Sequence, residues 1–139
     1  MLEETQDTIV ALATPGSYGA LSVIRLSGPD TGPIVGKLFR PARERYRHCT
    51  MYFGQIVEPQ SARRLDEGYL AMMYGPKSYT AEDCAELYIH GGAVNQQRIL
   101  RAACAAGARL ANPGEFTERA FLIDLPAGAI LNSIIALGS

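Results

Sequence analysis

Residues 83–106 read DCAELYIHGGAVNQQRILRAACAA, and the spacing of their apolar side chains changes at the glycine pair after His90. Before the pair, apolar residues occupy every second position, which predicts a half-buried strand over residues 83–90. After the pair, apolar residues recur at helical spacing: Val94, Ile99, Leu100 and Ala103. This pattern predicts a helix over residues 93–106, with Gly107 as its C-terminal stop.

The sequence on either side of this stretch continues the mixture of strands and helices. Further strands are predicted over residues 8–13, 20–27, 50–57, 68–74 and 108–111. The third and fourth of these are joined by a polar connection at residues 60–66, which is typical of a hairpin. Further helices are predicted over residues 30–39 and 113–122, although three residues weaken the first: Gly32, Pro33 and Gly36. The order of elements favours an α+β domain, a mixed β-sheet with helices packed on it.

Composition and charge narrow the class of protein. In 139 residues, 13 Lys and Arg balance 14 Asp and Glu, so the net charge of −1 does not favour a stand-alone RNA-binding protein. One basic segment, residues 40–48, contains four arginines and a histidine. We interpret it as a solvated loop, with a phosphate contact as the alternative. The three cysteines are far apart, which predicts reduced thiols and no metal site.

The sequence predicts a soluble, cytoplasmic protein that does not contact a membrane. Residues 1–7 are acidic and polar, unlike the start of a signal peptide. The longest apolar stretch, residues 127–137, is shorter than the roughly 20 residues needed to cross a bilayer.

Two charged residues occupy strand positions where apolar residues are expected. Arg25 lies within VIRL and Glu86 within CAELY. Burying either charge alone is costly, so each needs a partner or a solvent-filled cleft. Three arrangements satisfy this requirement: both side chains face solvent, they pair with each other, or they line a pocket for a polar planar ligand. In the third, a carboxylate accepts two parallel hydrogen bonds from an aminopyrimidine.

The sequence contains no phosphate-binding loop of the usual nucleotide triphosphatases. That motif ends in Gly-Lys-Ser or Gly-Lys-Thr, whereas the only Gly-Lys here is Gly36–Lys37, followed by Leu38. We therefore expect no GTPase site and no other complete catalytic site in this chain, and we assign no catalytic or metal-binding residue.

Five segments, taken together and in this order, strongly resemble one family, the N-terminal domain of the tRNA-modification GTPases called MnmE or TrmE. The resemblance covers residues 7–122. The segments are DTIVALATP (7–15), VIRLSG (23–28), GPKSYTAED (75–83), ELYIHGG (86–92) and GARLANPGEFTERAFL (107–122).

The resemblance implies a fold similar to the folate-binding part of the glycine-cleavage aminomethyltransferase, and it implies a homodimer. It also implies binding of a tetrahydrofolate derivative, for which 5-formyltetrahydrofolate is the usual surrogate. The full-length family protein adds a GTPase domain, which uses GTP, potassium and magnesium. With a flavin-dependent partner, MnmG or GidA, it adds a carboxymethylaminomethyl or aminomethyl group to the wobble uridine of tRNA. We expect tRNA to be an indirect partner of this domain.

The family's folate-contacting arginine and glutamate fall on Arg25 and Glu86. The resemblance thus implies that Glu86 holds the aminopyrimidine edge and that Arg25 holds a polar pterin atom or the folate chain. Two alternatives remain, a purely structural dimerisation module with a vestigial folate site and a stand-alone folate-dependent one-carbon transferase.

The sequence departs from the family after Leu122. The family continues with an Asn-Gly-basic triplet, and the basic residue contacts folate, whereas residues 121–128 here read FLIDLPAG. We therefore expect a domain over residues 1–122, followed at residues 123–139 by an atypical apolar tail, and weaker folate binding than in the whole protein.

Overall fold

Alternating apolar residues form seven strands in the part of the chain that the computed structural model describes, residues 7–14 and 20–121. The strands are β1 (Ile9–Leu12), β2 (Leu21–Ser27), β3 (Phe39–Arg40), β4 (Met51–Val57), β5 (Arg64–Met73), β6 (Cys84–His90) and β7 (Arg109–Leu110). Three helices accompany them in these residues: α1 (Thr31–Leu38), α2 (Ala93–Ala105) and α3 (Glu115–Phe121).

The strands form one mixed sheet in the order β3-β4-β5-β6-β2-β1-β7. Neighbouring strands are antiparallel except at one edge, where β7 runs parallel to β1. The predicted α+β class and the predicted hairpin, which is β4–β5, are both confirmed.

The core lies between α1, α2 and one face of the sheet. The apolar stripe of each helix packs against alternate residues of the central strands, as its periodicity requires. Fully buried members of this core include Ile24, Leu26, Leu70, Leu87, Ile89 and Ile99. The other sheet face therefore holds the intervening residues of the same strands, Arg25 and Glu86 among them.

Three local features differ from the sequence predictions. The strand β5 begins at Arg64 rather than at residue 68, because Asp66 and Glu67 continue the ladder with β4 although their polarity is typical of a loop. The two-residue strand β3 includes Phe39, which the sequence places at the end of a helix. The predicted tail at residues 123–139, and residue 122 before it, lie outside the described residues.

The helix α1 forms despite its glycines and proline. Pro33 lies in the first turn, where a missing N–H removes no intrahelical hydrogen bond. The hydroxyl of Thr31 donates to the carbonyls of Gly28 and Asp83, each at 2.9 Å, and so fixes the start of the helix.

Among the described residues, no helix combines the length and the apolar character that a membrane span needs.

Gly68 should be sensitive to substitution because a Cβ atom there would lie 2.0 Å from the backbone oxygen of Tyr88. We expect Gly68→Ala to lower the free energy of unfolding by about 1–3 kcal/mol, as overpacking against a backbone atom does. Gly36→Ala in α1 is the matched control, since a Cβ there meets nothing within 4 Å. It should stabilise the helix by about 0.5–1 kcal/mol. Urea unfolding of both variants measures this, and equal stabilities would contradict the close approach of β5 to β6.

Candidate functional site

The sheet face opposite α1 and α2 carries three rows of side chains that run across the strands, and burial decreases from one row to the next. The inner row is Ile9, Ser27, Cys84 and Met73; the middle row is Ala11, Arg25, Glu86, Ala71 and, at the edge, Met51; the outer row is Val23, Tyr88, Tyr69 and Phe53. The inner row is buried apart from half-buried Met73, and Tyr69 and Phe53 of the outer row are exposed. The two predicted site residues thus lie between a covered and an uncovered part of this face.

Arg25 and Glu86 lie directly opposite each other on β2 and β6 and form an ion pair. The Nε and Nη2 atoms of Arg25 donate to Oε2 of Glu86 at 2.9 and 2.7 Å. Their side chains are 18% and 16% exposed. The structure therefore brings the predicted residues together in the pairing that the sequence left as one of three arrangements. Their role toward a ligand stays a prediction.

Tyr88 extends this polar group and was not identified from the sequence, since a tyrosine two positions after Glu86 on a half-buried strand is common. Its hydroxyl donates to Oε1 of Glu86. Burial, together with this hydrogen bond to a carboxylate, raises the pKa of Tyr88 to about 12. The hydroxyl consequently remains a protonated donor at neutral pH, and both oxygens of Glu86 are occupied.

A cleft of about 380 Å³ lies beside Arg25. Its walls are residues 11–13, which comprise the end of β1 and the residue after it, together with Arg25 and residues 111–117, which lead into α3. Glu86 does not line the cleft, so Arg25 is the residue shared by the cleft and the ion pair. In the described part of the chain, the Nη1 atom of Arg25 makes no hydrogen bond.

A network of charges holds the cleft wall at residues 111–117 in place. Arg109 donates to both oxygens of Glu115, at 3.1 and 2.5 Å, and to Asp7 at 2.5 Å. Arg119, whose side chain is 5% exposed, donates to Asp7 at 2.6 Å and to Glu82 at 3.2 Å. Since Asp7 precedes β1 and Glu82 precedes β6, the network ties α3 to the sheet.

The same network lowers the pKa of two carboxyl groups. Hydrogen bonds from the guanidinium of Arg109 are the largest effect on both, and they hold the pKa of Glu115 and that of Asp7 below their ordinary values. A carboxyl group with a lowered pKa contributes stability above its ordinary pKa, and this stability is lost as the pH falls through the lowered value. The cleft wall is therefore held most firmly at neutral pH.

Within residues 7–14 and 20–121, no group of three or more His, Cys, Asp or Glu side chains is placed to hold a metal ion.

We expect Glu115→Gln to lower the free energy of unfolding at pH 7 by about 1–3 kcal/mol, because Arg109 loses a charged acceptor and Arg119 loses an ion-pair partner 3.6 Å away. The difference from the unmodified chain should shrink as the pH falls from 5 to 3, since Glu115 then becomes protonated. Urea unfolding across this pH range measures both effects. Glu118→Gln removes an exposed carboxylate from the same helix. It should change neither the free energy of unfolding at pH 7 nor its dependence on pH appreciably. An equal effect of the two substitutions would exclude the network as the cause.

Comparison with known families adds to this geometry. The family model described as GTP-binding protein TrmE N-terminus matches residues 8–124, most of the chain. These residues include every strand and helix described above, and both Arg25 and Glu86.

Individual relatives agree with the family match. The tRNA modification GTPase MnmE of Moorella thermoacetica is 47% identical over 141 aligned residues, which cover 96% of this chain and 30% of that protein. The protein of the same name from Chloroflexus aurantiacus is 50% identical over 117 residues, or 84% of this chain and 26% of the relative. The protein of the same name from Geobacillus kaustophilus is 44% identical over 138 residues, which cover 94% of this chain and 30% of that protein. The chain thus spans less than a third of the length of these relatives.

Proposed function

Since this chain belongs to the family of GTP-binding protein TrmE N-termini, we propose that it is the tetrahydrofolate-binding and homodimerising domain of a cytoplasmic tRNA modification GTPase. The whole protein would act with a flavin-dependent partner of the MnmG or GidA type on the wobble uridine of tRNA. GTP, potassium and magnesium would be bound outside this domain. Among the features of this chain, the polar group at Arg25 and Glu86 beside the cleft supports the proposal most directly.

The cleft is large enough for part of a folate. Ligand pockets commonly measure about 300–1,000 Å³, and the cleft beside Arg25 measures about 380 Å³. Its lining is mixed, with apolar side chains from β1 and polar ones from the segment before α3 and from its first turn, among them Asn112 and Thr117. Mixed walls of this kind suit a ligand that combines apolar surface with a few polar groups.

Charge and hydrogen-bonding capacity also fit a pterin. Glu86 is an acceptor for adjacent ring N–H and amino groups, provided that these displace the hydroxyl of Tyr88 or share the lone pairs of the carboxylate with it. Arg25 lines the cleft, and its Nη1 could donate to a ligand while Nε and Nη2 stay paired with Glu86. Glu86 would hold the aminopyrimidine edge, and Arg25 would hold a polar pterin atom or the folate chain.

Calorimetric titration with 5-formyltetrahydrofolate tests the folate site. We expect Glu86→Ala to weaken binding by about 1–3 kcal/mol, since a charged acceptor is lost. Glu86→Gln keeps the side-chain volume beside Arg25 and should also bind more weakly, because one acceptor becomes a donor. Glu67→Ala removes a more exposed carboxylate from the neighbouring strand β5 and should bind like the unmodified chain. If the unmodified chain binds folate and Glu86→Ala binds it equally well, the assignment is wrong; no binding at all would favour a purely structural module.

The outer row supports the dimeric part of the proposal. Phe53 and Tyr69 are 60% and 45% exposed, although they pack edge to face with ring centroids 5.3 Å apart. Two further apolar side chains on β4 and β2 are exposed as well, Met51 and Leu21. Exposed apolar groups that adjoin one another on a sheet are typical of an interface. A second copy of the chain, as the family resemblance implies, would cover them.

We expect Phe53→Glu to shift the chain from dimer to monomer, because a charge buried in the interface lacks a partner. Val94→Glu is the matched control, since Val94 is 76% exposed on α2, on the other side of the sheet. Sedimentation equilibrium of the two variants and the unmodified chain measures the change. A monomeric unmodified chain, or an equal effect of both substitutions, would contradict the outer row as a dimer interface.

A further inference from the structure

A second cleft, of about 360 Å³, lies on the helix side of the molecule, away from Arg25 and Glu86. It is formed by α1 and by the loop between β3 and β4, which holds most of the basic segment at residues 40–48, and we call it the arginine cleft. Its lining includes Gly32, Gly36, Arg43, Glu44, Arg45, Tyr46 and Tyr74. The two glycines leave space on its α1 side, since a Cβ at either position would meet nothing within 4 Å.

Each arginine of the cleft is held over an aromatic ring. The guanidinium carbon of Arg43 lies 4.7 Å from the centre of the Tyr52 ring, and that of Arg45 lies 4.4 Å from the centre of the Tyr74 ring. A cation–π contact uses the charge and leaves the N–H groups available to an acceptor. Among residues 7–14 and 20–121, neither guanidinium has a carboxylate or carbonyl partner. Arg40, by contrast, donates to the carbonyls of Gly36 and Phe39.

The loop that carries these arginines is anchored near its middle, at Tyr46 and Arg47, by the same tyrosines. The hydroxyl of Tyr74 donates to the carbonyl of Tyr46 at 2.9 Å, and the hydroxyl of Tyr52 accepts from the N–H of Arg47 at 2.9 Å. Both guanidinium groups are therefore placed by rings that also hold the loop, and Arg45 directly precedes the anchored backbone. Such preorganisation lowers the entropy cost of binding a ligand.

A buried hydroxyl adds to the arginine cleft. Tyr46 is buried, and its hydroxyl meets no hydrogen-bond partner among the described residues, although the backbone N–H of Arg43 lies near it. Burial raises the pKa of this hydroxyl, so that it remains a donor at neutral pH. A buried donor without an acceptor is costly, and a ligand oxygen would satisfy it once the cleft widens beside Tyr46, since water does not reach this hydroxyl in the free chain.

We propose that the arginine cleft binds a phosphate group, with Arg43 and Arg45 as charged donors and the hydroxyl of Tyr46 as a neutral one. A phosphate offers several acceptor oxygens to the three donors, and arginine is suited to it in geometry and charge. Glu44, which also lines the cleft, reduces the local charge of the two arginines but leaves it positive. The phosphate belongs to an RNA backbone or to a small phosphate compound. RNA as its source rests on the proposed function, whereas the phosphate chemistry does not.

Two titrations of the 139-residue chain test this proposal, one with a labelled tRNA anticodon stem-loop and one with inorganic phosphate followed by NMR. The double variant Arg43→Ala/Arg45→Ala should bind RNA about tenfold or more weakly. For this variant, the slope of the logarithm of the RNA association constant against the logarithm of the salt concentration should be less steep by about 1–2, because up to two phosphate contacts are lost. The control is Arg47→Ala/Arg64→Ala, which removes the same charge at exposed positions outside the cleft and should change affinity less than threefold.

Tyr46→Phe isolates the hydroxyl. It should weaken phosphate or RNA binding about two- to tenfold, as expected for one neutral hydrogen bond. It should not lower the midpoint of thermal unfolding appreciably, since the hydroxyl donates to no acceptor among the described residues. Unchanged affinity would remove Tyr46 from the site.

The outcomes separate the two sources of phosphate. Binding of RNA that only the Arg43/Arg45 variant loses supports an RNA phosphate, and binding of inorganic phosphate alone supports a small phosphate compound. Binding of neither ligand, or an equal loss in both double variants, overturns the proposal. The Arg43/Arg45 variant should still bind 5-formyltetrahydrofolate like the unmodified chain, so this result distinguishes failure of the arginine cleft from failure of the folate site.

Discussion

The antiparallel pairing of β2 with β6 is the contact on which both the core and the site depend. Seven residue pairs are in register, from Leu21 with His90 to Ser27 with Cys84. Side chains alternate between the faces of a sheet, so a shift of one residue would move Leu26 or Leu87 out of the core and a charge into it. Packing of the apolar residues against α1 and α2 therefore fixes the register. That register leaves Arg25 and Glu86 opposite each other on the other face.

The ion pair itself contributes little to the stability of the fold. Its side chains are largely removed from water, and in such positions the desolvation cost of two charges roughly offsets their attraction. A pair of apolar residues would fill the middle row at least as well from the standpoint of stability alone. The two charges are instead suited to exchange partners, because a ligand that supplies equivalent hydrogen bonds replaces one set of interactions with another of similar energy.

The order of predicted elements gave the α+β class, and strand periodicity singled out Arg25 and Glu86, whose role toward a ligand stays a prediction. A charge within an apolar strand is visible without any knowledge of its neighbours. The contacts that complete the site connect distant residues, such as Arg119 with Asp7 across 112 positions, and no local pattern reports them. The contacts of the arginine cleft were likewise not predictable from local sequence. Four arginines between residues 40 and 48 indicate a basic loop, but nothing in their spacing places Arg43 on Tyr52 or Arg45 on Tyr74.

The proposed folate site and the proposed dimer interface lie in adjacent rows of one sheet face, across which burial decreases. A second copy that covers the outer row would also exclude water from the neighbouring middle row, where Arg25 and Glu86 lie. Electrostatic interactions strengthen as water is removed, so a ligand held by these charges would bind the dimer more tightly than the monomer. Thermodynamic linkage then requires the ligand to favour the dimer by the same factor. A folate site in the middle row and a dimer interface in the outer row would thus form one coupled equilibrium, because they adjoin on the same strands.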